Sequence, residues 1–143
     1  MNIFNLLKHK SQVEFFYEDE TVREAAEKFS SHGYTAVPVI SRSGAYVESV
    51  TEGDILRYIM AGMRSGNISG MDTEMIVSLP KKREVRSVHI NASLDSLVEM
   101  CKIQNFVPVV DDRGIFIGIV TRKDLICYSQ DKYTELRKEL EKN

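Results

Sequence analysis

The sequence predicts an α/β protein made of two tandem β-α-β-β-α repeats. Two observations carry this. An apolar strand runs into Thr-x-x-Asp twice, as Glu48-Ser-Val-Thr51-Glu-Gly-Asp54 and as Gly118-Ile-Val-Thr121-Arg-Lys-Asp124. The landmarks Pro38/Pro108, Gly44/Gly114, Thr51/Thr121 and Asp54/Asp124 all lie 70 positions apart. A unit of roughly fifty residues buries too little core to stand alone, so the two copies are expected to pack on each other.

The elements follow in order. Residues 1–12 read as an amphipathic turn. Val13–Tyr17 is a short β-branched and aromatic run, hence a strand. Thr21 with Glu24 fits a capping box, and Val22, Ala25, Ala26 and Phe29 recur at helical spacing until Gly33 ends the helix. Tyr34–Ile40 reads as a buried strand, Ser41–Gly44 as a turn, and Ala45–Val50 as the returning strand. A helix starts near Thr51 with Ile55, Leu56, Ile59 and Met60 on one face. Residues 62–84 differ in composition and read as a connection, with a short helix expected over Asp72–Leu79. The pattern then recurs: strand Val85–Ile90, helix from Ser93, strand Phe106–Val110, turn Asp111–Gly114, strand Ile115–Val120 and a last helix from Thr121. The divisions expected are a first repeat with its N-terminal segment (1–61), a connecting segment (62–84), a second repeat (85–130) and a C-terminal helical tail (131–143). Tyr133, Leu136 and Leu140 draw a thin apolar stripe on that tail, which reads either as a solvated end or as a self-association seam.

Composition bounds the function. Of 143 residues, 43% are hydrophobic and 28% charged, which suits a globular chain. The net charge of −2 gives the molecule no overall attraction to nucleic acid or anionic lipid. No apolar run approaches the ~20 residues that span a bilayer, and the N-terminus lacks a positive leader, so a cytoplasmic protein is expected. Cys101 and Cys127 match no ligand spacing, and His9, His32 and His89 are scattered, so no metal site is expected. There is no G-x-x-x-x-G-K loop and no Ser/His/Asp ordering, so no catalytic residue is assigned.

Thr-x-x-Asp at a helix start is first of all a cap, with the carboxylate near the positive helix end. The same arrangement is an anion site, because first-turn amides and a hydroxyl can meet a phosphate while a carboxylate suits ribose hydroxyls. Arg122 and Lys123 give the second copy positive charge where the first has Glu52 and Gly53.

Paired repeats reading Gly33-Tyr-Thr-Ala-Val-Pro38-Val…Ser49-Val-Thr-x-x-Asp54 and Asn105-Phe-Val-Pro108-Val-Val-Asp…Gly118-Ile-Val-Thr-x-x-Asp124 resemble a CBS-domain pair over residues 10–130. The resemblance implies two repeats packed through their sheets about a pseudo-two-fold axis. It implies clefts that bind adenosine derivatives (AMP, ADP, ATP, S-adenosylmethionine or dinucleotides), a homodimer, and regulation of a separate protein rather than catalysis. Carried over, Thr51 and Thr121 contact phosphate, with Arg122 and Lys123 beside the second, and Asp54 and Asp124 hold ribose. Tyr34, Thr35 and Ala36, and their equivalents Asn105, Phe106 and Val107, line the adenine; Val13 and Val85 complete the base pockets. Gly33–Pro38, His89–Asn91 and Thr121–Lys123 are further similar to stand-alone bacterial receptors for cyclic di-AMP. Two departures stand out: Glu48 replaces the glycine matching Gly118, which is expected to narrow or recharge the first cleft, and two residues are lost before Phe106. The better-equipped site is expected at Asp124. The alternative is a constitutive dimerisation or protein-interaction module with vestigial clefts.

Overall fold

A computed structural model describes residues 3–142. The first repeat contains β2 (Phe16–Tyr17), α1 (Val22–His32), β3 (Ala36–Ile40), β4 (Tyr46–Thr51) and α2 (Glu52–Ser65). The second contains β5 (Val88–His89), α3 (Leu94–Ile103), β6 (Phe106–Val110), β7 (Phe116–Thr121) and α4 (Arg122–Glu141). A short strand β1 (Lys8–His9) precedes them.

The helices begin and end where local chemistry directs. Thr21, Ser93, Thr51 and Thr121 each accept a first-turn amide at an N-cap, and Gly33 closes α1 in the left-handed conformation that glycine adopts without steric cost. In each repeat the first strand lies parallel to the second, and the second and third form an antiparallel hairpin. The registers repeat: Ala36 faces Thr51 as Phe106 faces Thr121, and each hairpin shifts register one residue short of its end.

The two hairpin turns meet across a local two-fold. Tyr46 N donates to Gly114 O at 3.2 Å, and Phe116 N donates to Gly44 O at 2.9 Å. Tyr46 and Phe116 stack there with centroids 6.4 Å apart. The stacked Tyr46 and Phe116 and the bridge partners Ala45 and Ile115 are each 70 positions apart, so equivalent residues pair with each other.

Each core is completed by the segment that precedes the other repeat. Ile3, Leu6 and Leu7 are buried against Leu97, Val107 and Val120 of the second repeat. Met71, Ile76 and Leu79 are buried against Val22, Phe29 and Val50 of the first. Ile3, Leu6 and Lys8 match Ile76, Leu79 and Lys81 at a constant offset of 73, and both stretches open with a 3-10 turn, Ile3–Asn5 and Ile76–Ser78.

Three local expectations change. The strand at Val13–Tyr17 pairs only over Phe16–Tyr17, and Val85–Ile90 only over Val88–His89. The helix expected over Asp72–Leu79 is two 3-10 turns, Ser69–Asp72 and Ile76–Ser78, because chain docking on the first repeat must bury Met71, Ile76 and Leu79 together. The C-terminal stripe continues the last helix without a break.

Candidate functional site

β4 and β7 deliver Thr51 and Thr121 to the starts of α2 and α4. Thr51 Oγ1 accepts from Asp54 N and Thr121 Oγ1 from Asp124 N, each at 3.1 Å. Beyond that the copies diverge. Asp54 is buried: Oδ2 accepts from Thr51 N at 2.9 Å, and Oδ1 takes the Arg57 guanidinium. Both carboxylate oxygens of Asp54 are therefore engaged within α2 and its cap. The Asp124 side chain is 36% exposed, with Lys8 Nζ at 3.9 Å.

The strand starts are tied to the same helix ends. Thr35 O accepts from Glu52 N at 3.0 Å and Asn105 O from Arg122 N at 2.8 Å. The Thr35 side chain is exposed, and Val107 is fully buried in the second core, so only its backbone can face a ligand.

The remaining site residues sort into clefts formed between repeats. A cavity of about 740 Å³ brings Ala36 and Thr51 of the first repeat together with Val85, Asn105, Phe106 and Arg122 of the second. Arg83 and Lys102 stand on its rim, opposed by Glu84, so the lining is net positive in a chain that is net negative. Arg122 Nε donates to Cys101 O at 2.7 Å, which holds the guanidinium at the cleft. A second cavity of about 550 Å³ shares Arg83, Glu84 and Val85 and continues to Tyr46, Glu48 and Ser49. Its wall is a polar network: Tyr46 donates to Val85 O at 2.7 Å, and Ser49 Oγ lies 2.8 Å from the Tyr46 hydroxyl. Burial pushes the Tyr46 phenol up to about 12.

The opposite side is narrow. Val13, Tyr34, Ala36 and Phe106 line a cavity of about 190 Å³ that Lys8 and Gln12 share. Thr121, Arg122 and Lys123 instead edge a surface groove with Asn105 and Ile126. Asp54 and Asp124 line none of these cavities.

Gly118 and Glu48 account for the asymmetry. A Cβ on Gly118 would lie 2.1 Å from Lys8 O, so only glycine lets β1 pair on β7. That pairing occupies the Asp124 side. At the equivalent position in β4, Glu48 takes Lys81 Nζ at 3.1 Å, and the chain around Lys81 forms no strand. Of the two effects expected of Glu48, narrowing or recharging, the structure shows a carboxylate in the cavity wall with the Thr51 side left open. Arg122 lines the cleft containing Thr51 as well as the groove of Thr121 and Lys123, and Asp124 lines neither.

Residues 62–84 read from sequence as a connection, yet Arg83 and Glu84 line both large cavities and Lys81 lines one of them. The signal that could have found it is the Ile-x-x-Leu-x-Lys match at offset 73. His89 lies outside these cavities: Nδ1 accepts from Asn91 N at 3.0 Å and Nε2 meets Asp112, which fixes a turn.

A duplicated α/β unit with clefts between its copies defines a tandem-repeat binding module. The CBS domain family matches residues 7–61 and 77–131, and the chain belongs to that family. An uncharacterised protein of Methanopyrus kandleri is 26% identical over 124 residues, covering 86% of this chain and 61% of the relative. This chain therefore spans under two thirds of that relative's length. Among solved structures, CbpB in complex with cyclic di-AMP superposes with a TM-score of 0.84 at 23% identity, covering 97% of this chain and 91% of CbpB. CBSX2 in complex with AMP gives 0.72 at 19% identity, covering 92% and 98%. These likenesses establish the CBS-pair fold. No helix among the described residues is long and apolar enough to cross a membrane.

Proposed function

We propose that the chain is a regulatory sensor that binds an adenine nucleotide in the wide cleft of Thr51, Val85, Asn105, Phe106 and Arg122. No reaction is assigned to it. The observation that carries the reading is the cavity of about 740 Å³, within the size range of small-molecule sites, with a net positive lining drawn from both repeats. Thr51 and the first amides of α2 meet the phosphate, joined by Arg122. Val85 and the adjoining space beside Ser49 take the base. The complexes of CbpB with cyclic di-AMP and of CBSX2 with AMP support the ligand class.

Because the two walls belong to different repeats, a ligand that prefers one inter-repeat angle shifts the molecule toward it, and a partner protein reads the change. Calorimetric titration with AMP, ATP and cyclic di-AMP tests this. At least one should bind at micromolar strength, about −8 kcal/mol. Arg122→Ala should weaken it roughly tenfold to a hundredfold, the worth of a charge-assisted bond, while Lys123→Ala changes little. Silence from all three ligands would favour a constitutive interaction module; equal loss from both variants would move the phosphate to the Thr121 side.

A further inference from the structure

Among the described residues, Ser49, Asp54 and Gln104 are the buried polar side chains. Asp54 is engaged within α2 and its cap. Gln104 takes the Arg86 amide at 2.9 Å and donates to the Arg86 and Phe106 carbonyls at 3.1 Å each. Ser49 differs, because it lines the cavity of about 550 Å³ while only 2% exposed, and its hydroxyl meets the Tyr46 hydroxyl at 2.8 Å.

Counting protons fixes the direction of that contact. A carbonyl donates nothing, so Tyr46 gives its single hydroxyl proton to Val85 O at 2.7 Å. Tyr46 therefore offers Ser49 only lone pairs, and Ser49 donates to it. Ser49 Oγ is left an acceptor toward the cleft. Burial pushes the phenol up to about 12, so it stays protonated and the relay keeps its sense at neutral pH. Gln104 grips both the amide and the carbonyl of Arg86, which holds the far end of the relay in place. The same wall carries the Glu48 carboxylate, a second acceptor. Lys81 does not cancel it as a donor to the cavity: its ammonium reaches Ile76 O at 2.8 Å, Leu79 O at 2.6 Å and Glu48 at 3.1 Å. Arg83 and Arg86 are exposed, so the cations stand at the rim and the acceptors lie deeper.

We infer that Ser49 sets the base specificity of this site: held as an acceptor by Tyr46, it takes the exocyclic 6-amino group of adenine and turns away 6-oxo purines. The inference rests on the reading above, that an adenine nucleotide lies in this cleft with its base beside Ser49. An amino group donates to Ser49, whereas a 6-oxo group sets its lone pairs against those of the hydroxyl. Tyr46 is a positioning residue, acting through the lone pairs that it presents to Ser49.

Calorimetric titration with adenine nucleotides and their hypoxanthine counterparts tests this: AMP with IMP, ATP with ITP, and cyclic di-AMP with cyclic di-IMP. The native chain should bind the adenine member of a pair roughly tenfold to a hundredfold more tightly. Ser49→Ala should weaken the adenine member about tenfold and close most of the gap. Tyr46→Phe releases the Ser49 proton, so the hypoxanthine member should gain affinity while the adenine member changes little. Far-UV circular dichroism checks that both variants keep their helix content. Adenine and hypoxanthine members bound equally by the native chain would overturn the inference and leave the functional reading standing. A gap unchanged in Ser49→Ala would overturn the assignment to Ser49, and one unchanged in Tyr46→Phe would overturn the relay. Silence from all three adenine nucleotides would instead overturn the functional reading, and the base assignment with it.

Discussion

At the residue scale, single substitutions between the two copies carry the molecule's asymmetry. Gly118 has Glu48 as its counterpart, and a missing Cβ decides whether a strand can dock. Phe116 has Tyr46 as its counterpart, and one added hydroxyl ties the cleft wall to Val85 O. That phenol is buried, so its folded-state value lies near 12 against an ordinary 10. The fold favours the protonated form, so the contribution is fully present below pH 10 and is lost as pH rises through 12. Urea denaturation should therefore show stability falling between pH 10 and 12 more steeply in the native sequence than in Tyr46→Phe. That variant should also be about 1 kcal/mol less stable at neutral pH, since it strands the Val85 carbonyl. Identical pH profiles for the two proteins would show that another group governs alkaline stability.

At the element scale, the connecting segment is structural rather than a tether. Ile76 is fully buried in the first core, whereas its neighbour Met75 is 49% exposed. Ile76→Ala should cost about 2–5 kcal/mol, the range of a large-to-small core change, and Met75→Ala within about 0.5 kcal/mol. Chemical denaturation of both variants checks this, and equal small effects would return residues 76–79 to the status of a loop. The same comparison explains why the predicted helix there is absent. Apolar residues at helical spacing marked a buried face, but Gly70 and Pro80 bracket a stretch that follows the contour of α1 in two short turns instead.

At the scale of the whole molecule, each core borrows three apolar residues from the segment ahead of the other repeat, so neither repeat holds a complete core alone. Thermal unfolding should accordingly be one transition, coincident by tyrosine fluorescence and far-UV circular dichroism. A nucleotide at a hundred times its dissociation constant should add about 2.7 kcal/mol and raise the whole midpoint by roughly 5–10 °C. Two separable transitions, with only one moved by ligand, would show that the repeats are independent. The wide cleft draws its walls from both halves, so the proposed ligand would couple its binding to their relative orientation.

The sequence by itself determined the duplication, the strand and helix order, the caps at Thr51 and Thr121 and the family. These depend on residue periodicity and on chemistry within a few positions along the chain. Of the site residues expected from sequence, Ala36, Thr51, Val85, Asn105, Phe106 and Arg122 line one cavity, whereas Asp54, Thr121, Lys123 and Asp124 do not line it. Their sorting into clefts was not legible, because a duplicated motif looks equivalent until the chain folds back on it. Only the tertiary structure decided that Lys8 and β1 occupy the Asp124 side, that Arg122 lines the cleft of Thr51, and that Asp54 spends both oxygens on its own helix. The physical reason is that access and charge at each cleft are set by segments some seventy residues away in sequence, whose approach turns on whether a glycine or a glutamate stands at the point of contact.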